Sequence, residues 1–151
     1  MTIPALSPSG QVSADGLAYD VASKVGDVLA FVNAPTRTVN LAAATQALTA
    51  AQSGQRFVGA VDAVFTLPAA AAETKGVWYE FETGAVSAGT GLSISPAAAD
   101  HIRGNGLTST DDKDLINTGA TDRLGDSVRI YCDGGAGWVI EAVVGTWAKQ
   151  A

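Results

Sequence analysis

The sequence predicts an all-β fold, an antiparallel sandwich or small barrel preceded by an extended N-terminal arm, and three observations carry that expectation. The first is composition: seventeen glycines, with many alanines, serines and threonines, suit short strands and tight turns and give little support to long helices. The second is the run Val77-Trp78-Tyr79-Glu80-Phe81-Glu82. It alternates with period two, so Val77, Tyr79 and Phe81 face one way and Trp78, Glu80 and Glu82 the other. The third is a hairpin. Val128-Arg129-Ile130-Tyr131-Cys132 meets Gly137-Trp138-Val139-Ile140 across Asp133-Gly134-Gly135-Ala136, whose glycines supply the positive φ that such turns need.

Taken in order, residues 1–16 hold Pro4, Pro8, Gly10 and Gly16 and no periodic apolar pattern. They are expected to form an arm that needs a partner to order it, followed by a single β-domain over 17–151. Two strands are expected around Leu17-Ala18-Tyr19 and Val28-Leu29-Ala30-Phe31-Val32, the second closed by Asn33-Ala34-Pro35. Residues 40–53 stay open. Asn40 suits a helix cap and Leu41, Ala44, Thr45, Leu48 and Ala51 share a helical face, yet that face has only two large apolar residues, which favours strand and turn. Val64-Phe65-Thr66-Leu67 ends at Pro68, Leu92-Ser93-Ile94-Ser95 ends at Pro96, and residues 143–147 read as a last strand.

A chain of 151 residues fits one domain with a proper core. No stretch reaches the roughly 20 apolar residues of a membrane span. The start, Met1-Thr2-Ile3-Pro4-Ala5, lacks the basic head and apolar run of a signal peptide, so the expectation is a protein made in the cytosol. The net charge is −6, all of it carried by residues 57–151; phosphate repels such a surface, and nucleic acid is not an expected partner.

The residues that suggest chemistry are few. Asp111, Asp112 and Asp114 form an acidic run, but it lacks the glycine and terminal glutamate of a calcium loop and has Lys113 inside it. Glu80 and Glu82 share a strand face and imitate a glycosidase pair, although such pairs come from different elements around a cleft. Asp100 adjoins His101, a geometry that does not orient a catalytic imidazole, and no Gly-x-Ser-x-Gly elbow accompanies them. Arg103-Gly104-Asn105-Gly106 has no following helix to make a phosphate cradle. Cys132 alternates with Val128 and Ile130 and is expected to be a buried small residue. One cysteine and one histidine make neither an internal disulfide nor a metal site of the usual kinds. The expectation is therefore a non-enzymatic protein without cofactor or metal. Trp78, on the face shared with Glu80 and Glu82, is the residue that departs from this bland pattern. Subunit packing, ordinary partial burial and glycan stacking all suit an aromatic residue there.

From Leu48 onward the chain resembles β-rich domains of tailed-bacteriophage virion proteins: head-decoration (cement) proteins, head fibres and tail-fibre tips. The resemblance rests on a series of short elements: Leu48-Thr49-Ala50-Ala51-Gln52-Ser53-Gly54, Phe57, Phe65-Thr66-Leu67-Pro68, Gly76-Val77-Trp78-Tyr79-Glu80-Phe81, Ile94-Ser95-Pro96 and Asp100-His101-Ile102-Arg103-Gly104. It continues through Gly125-Asp126-Ser127-Val128, Gly137-Trp138-Val139-Ile140 and Gly145-Thr146-Trp147. It implies an assembly protein that is commonly a homotrimer. On that resemblance the partners are the major capsid protein and the chain itself, on the outer surface of the virion, with stabilisation purely mechanical. Trp78, Glu80 and Glu82 become a candidate subunit interface, and Ile3, Pro4, Leu6 and Pro8 a candidate capsid-anchoring arm. The length favours decoration over a tail fibre, which needs a shaft and an attachment region; a fibre or baseplate component binding host glycans is the alternative.

Overall fold

The computed structural model describes residues 39–41, 45–110, 112–135 and 137–151, all within the unit Arg37–Ala151. The expected arm, with Ile3, Pro4, Leu6 and Pro8, and the strands expected between residues 17 and 32 lie outside the described residues. Among the described residues eleven strands follow one another: β1 (Val39–Leu41), β2 (Thr45–Ala47), β3 (Arg56–Gly59), β4 (Val64–Thr66), β5 (Trp78–Thr83), β6 (Gly91–Ser95), β7 (His101–Arg103), β8 (Leu115–Thr118), β9 (Ser127–Cys132), β10 (Gly137–Val144) and β11 (Ala148–Lys149). The helical content among the described residues is two single 3-10 turns, Ala50–Gln52 and Ala72–Thr74. The fold is all-β.

Two sheets face each other. One has the order β1-β3-β5-β9-β10-β7, the other β11-β8-β6-β4-β2. The expected antiparallel pairing holds only for the C-terminal part. β1, β3 and β5 pair in parallel in the first sheet, as do β2, β4 and β6 in the second, and β7 joins β10 in parallel. The reason lies in the winding. Successive strands alternate between sheets, so each strand of one sheet serves as the crossover that parallel neighbours in the other require. From β8 on, the chain turns back on itself, and β5–β9, β9–β10, β6–β8 and β8–β11 are antiparallel.

The core is aromatic. Phe57, Tyr79, Phe81 and Trp138 point inward from the six-stranded sheet and Phe65 from the five-stranded one, all fully buried. Phe65 bridges the layers, with ring centroids 5.5 Å from Phe57 and 5.2 Å from Phe81, and Tyr79 stacks on Trp138 at 5.6 Å. Burial pushes the Tyr79 hydroxyl up to about 12, so it stays protonated and donates to the Thr49 carbonyl at 2.8 Å. Each such ring contributes through apolar area withdrawn from water, with pairwise geometry adding about 1 kcal/mol per contact.

Within residues 40–53 the described positions, 40–41 and 45–53, take the strand-and-turn alternative. Leu41 is 83% exposed while Leu48 is buried, so the helical face that would have united them has nothing to cover it. The expected hairpin is present, with Trp138 opposite Cys132 and Ile140 opposite Ile130. Val143 and Val144, expected in a separate last strand, instead continue β10. A bulge between Ile140 and Ala142 keeps that strand in register with β9, and Gly145, at φ +85°, ends it.

Candidate functional site

The chemistry-bearing residues of the sequence are mostly spent on structure. The Asp100 carboxylate accepts the Ala70 N–H at 2.7 Å, while His101 packs against Gly137, whose missing side chain makes room for the imidazole. Asp114 accepts from the Ser93 hydroxyl at 2.5 Å; Asp112 is exposed and Asp111 lies outside the described residues. Arg103 reaches Asp133 at 2.9 Å, and that guanidinium, with the Gly135 N–H, holds the Asp133 carboxyl below its ordinary range. Cys132 is buried, as its alternation predicts, 3.4 Å from the Thr74 hydroxyl. Among the described residues no three His, Cys, Asp or Glu side chains gather into a metal-binding group, and no helix is long and apolar enough to cross a membrane.

Two regions remain. The first is the outer face of the six-stranded sheet. Strand register sets Tyr131 between Trp78 and Val139, and in the adjoining row Arg56, Glu80 and Arg129 alternate in sign across three strands. Glu80 is buried to 8% exposure and lies 3.4 Å from Arg56 and 3.1 Å from Arg129; Arg56 also pairs with Glu82. Arg129 covers the Trp78 ring, 5.1 Å from its centroid, a cation–π contact. Trp78, Glu80 and Glu82 thus share the outward face that the alternation predicts, and each is engaged within the chain. Sequence reasoning missed their cross-strand neighbours, Arg56, Arg129 and Tyr131. It also missed Glu141, which the β10 bulge sets beside Arg129 at 3.7 Å. With Gly76, Trp78, Arg129 and Tyr131, Glu141 lines an open depression of about 420 Å³.

The second region is the Thr83 end of the same sheet. Among the described residues seven large apolar side chains are exposed, and five of them (Leu41, Val61, Val86, Leu124 and Val144) gather at this end. The topology explains why. β1, β3 and β5 all finish here, β9 starts here, and Val144 pairs with Ser127 at the finish of β10.

The loops that carry Val61, Val86 and Leu124 are bound together by carboxylates. Asp62 accepts from the Ser87 hydroxyl and from the Gly91 N–H at 2.9 Å, and the Ser87 bond above all holds its carboxyl below the ordinary value. Asp122, buried, accepts the Ser87 N–H at 2.8 Å. Asp126, also buried, accepts the Arg123 N–H and the Asn117 amide at 3.0 Å each, while the Thr83 hydroxyl donates to Asn117 at 2.7 Å from the opposite sheet. Gly91, at φ +87°, brings its Cα against the Asn117 backbone where a side chain has no room. A platform with its donors already satisfied pays little ordering entropy on docking. A trace in the sequence is Asn117, a polar residue two positions after Leu115 on the same inward strand face. Comparison with protein-family models and with curated proteins returns no match.

Proposed function

We propose that this chain is a head-decoration protein of a tailed bacteriophage, docking on the major capsid protein through the apolar rim at the Thr83 end of its six-stranded sheet and acting as a homotrimer on the outside of the shell. The observation that carries the docking surface is the gathering of Leu41, Val61, Val86, Leu124 and Val144 at one end, with Val61, Val86 and Leu124 on loops locked by Asp62, Asp122 and Asp126 and with Leu41 and Val144 on the strand ends beside them. Grouped exposed apolar side chains on a rigid support mark a protein-binding surface. The phage assignment rests on the resemblance in the sequence from Leu48 onward. In this reading stabilisation needs no chemistry. A protein that buries surface on neighbouring capsid subunits favours the assembled state by mass action.

The test is occupancy on capsids assembled without this chain. Wild-type protein added back is expected to bind and to raise the temperature at which DNA is released. Leu124→Asp with Val86→Asp, both at exposed positions, is expected to lower occupancy at least about tenfold with an unchanged unfolding curve. Unchanged occupancy overturns the docking surface. Failure of wild-type protein to bind the shell at all overturns the decoration reading, and a monomer mass by light scattering overturns the trimer.

A further inference from the structure

We infer that the depression beside Trp78 is a binding site for an uncharged sugar, a hexose or N-acetylhexosamine unit of a surface glycan. Its volume of about 420 Å³ lies within the range of small-ligand sites, and its lining matches the two-sided chemistry of a pyranose. Sugar rings have C–H faces that pack on aromatic surface and hydroxyls that both donate and accept. The aromatic wall comes from Tyr131, 37% exposed, and Trp78 lines the depression behind the Arg129 guanidinium that covers its ring. Gly76 leaves the wall open, with no atom within 4 Å of where a side chain would begin.

The polar groups decide the ligand class. Arg129 supplies N–H donors and Glu141, with a side chain 54% exposed, supplies acceptors. Their 3.7 Å separation is too long for a direct hydrogen bond, a spacing that a hydroxyl can bridge by accepting from one and donating to the other. An anionic ligand is disfavoured because the same guanidinium already faces Glu80 at 3.1 Å as well as Glu141. A cation meets Arg129. A wholly apolar ligand desolvates an ion pair and returns nothing for it. A neutral polyhydroxylated molecule has none of these costs. The site lies towards the Trp78 end of β5 and the apolar rim at the Thr83 end, so the inference stands independently of capsid docking.

The experiment applies the full chain to an array of neutral, sialylated and sulfated glycans. Hits are followed by saturation-transfer NMR with the methyl glycosides of the neutral sugars. Retention of neutral glycans is expected, with Glu141→Gln and Tyr131→Ala each weakening binding at least about tenfold. Glu141→Gln removes a charge from an exposed side chain, so its thermal midpoint serves as the control for folding. Retention of charged glycans alone overturns the inference, as does undiminished binding by both variants. Capsid occupancy of Glu141→Gln is read in parallel. Lost occupancy with no glycan retained identifies the depression as a protein contact and also overturns the sugar site.

Discussion

The outer face and the Thr83 end both concentrate acidic residues, but they use them differently. On the outer face Glu80 and Glu82 meet Arg56 and Arg129 across strands whose backbone ladders already exist. At the Thr83 end Asp62, Asp122 and Asp126 accept backbone N–H groups that no sheet satisfies. The first arrangement decorates a fold made by other forces; the second is the structure of the loops. Exposed ion pairs give little because water competes for both charges. A buried donor left without its acceptor forfeits its full hydration. Polar residues of the same type should therefore differ in what their removal costs.

Asp126→Ala tests the strong side of this contrast. It leaves one N–H of the buried Asn117 amide without its acceptor, while the Arg123 N–H belongs to an exposed residue that water reaches, and a loss of about 2 kcal/mol is expected. Urea unfolding measures it, and a loss below about 1 kcal/mol would show that water readily replaces the carboxylate. Gly145→Ala acts on the same carboxylate from outside. Its φ is +85°, and a Cβ there collides with Asp126. The expected cost is about 2 kcal/mol, and it should shrink when Asp126 is already alanine, which a double-mutant cycle detects.

The weak side is tested by Arg56→Ala. Glu82 is partly exposed and the buried Glu80 keeps Arg129 as a partner, so about 1 kcal/mol or less is expected, falling further in high salt. A loss as large as that of Asp126→Ala would erase the distinction between the two regions.

The smallest effect is the pH dependence at Asp62. Its folded pKa lies below the ordinary 3.8, so the ionised form is the one the fold prefers. Its contribution is present above pH 3.8 and is lost as pH falls through the lower folded value. Hydrogen exchange should find the amide of Gly91 less protected in acid before the strands respond. Equal protection down to global unfolding would count against Asp62 as the clasp of that loop.

What the sequence determined by itself is local. Alternation in residues 77–82 is a property of the pleat, so the inward Tyr79 and Phe81 and the outward Trp78, Glu80 and Glu82 were legible without any partner strand. The hairpin over 128–140 was legible for the same reason, because turn chemistry and flanking strands adjoin in the chain. β7 and β8 escaped notice. His101–Arg103 has one apolar residue, and Leu115–Thr118 places Asn117 at an inward position where alternation calls for an apolar one.

Only the tertiary structure decided which strands become neighbours. Parallel pairing of β1, β3 and β5 depends on the chain visiting the other sheet between them, and nothing in a strand's own composition records that excursion. Trp78 and Tyr131, far apart in sequence, touch a common depression because β5 and β9 pair. Leu41, Val61, Val86, Leu124 and Val144 share an end because five strands finish or start there. Strand periodicity sets which way a side chain points, whereas proximity between strands is set by the burial that the whole sandwich achieves at once.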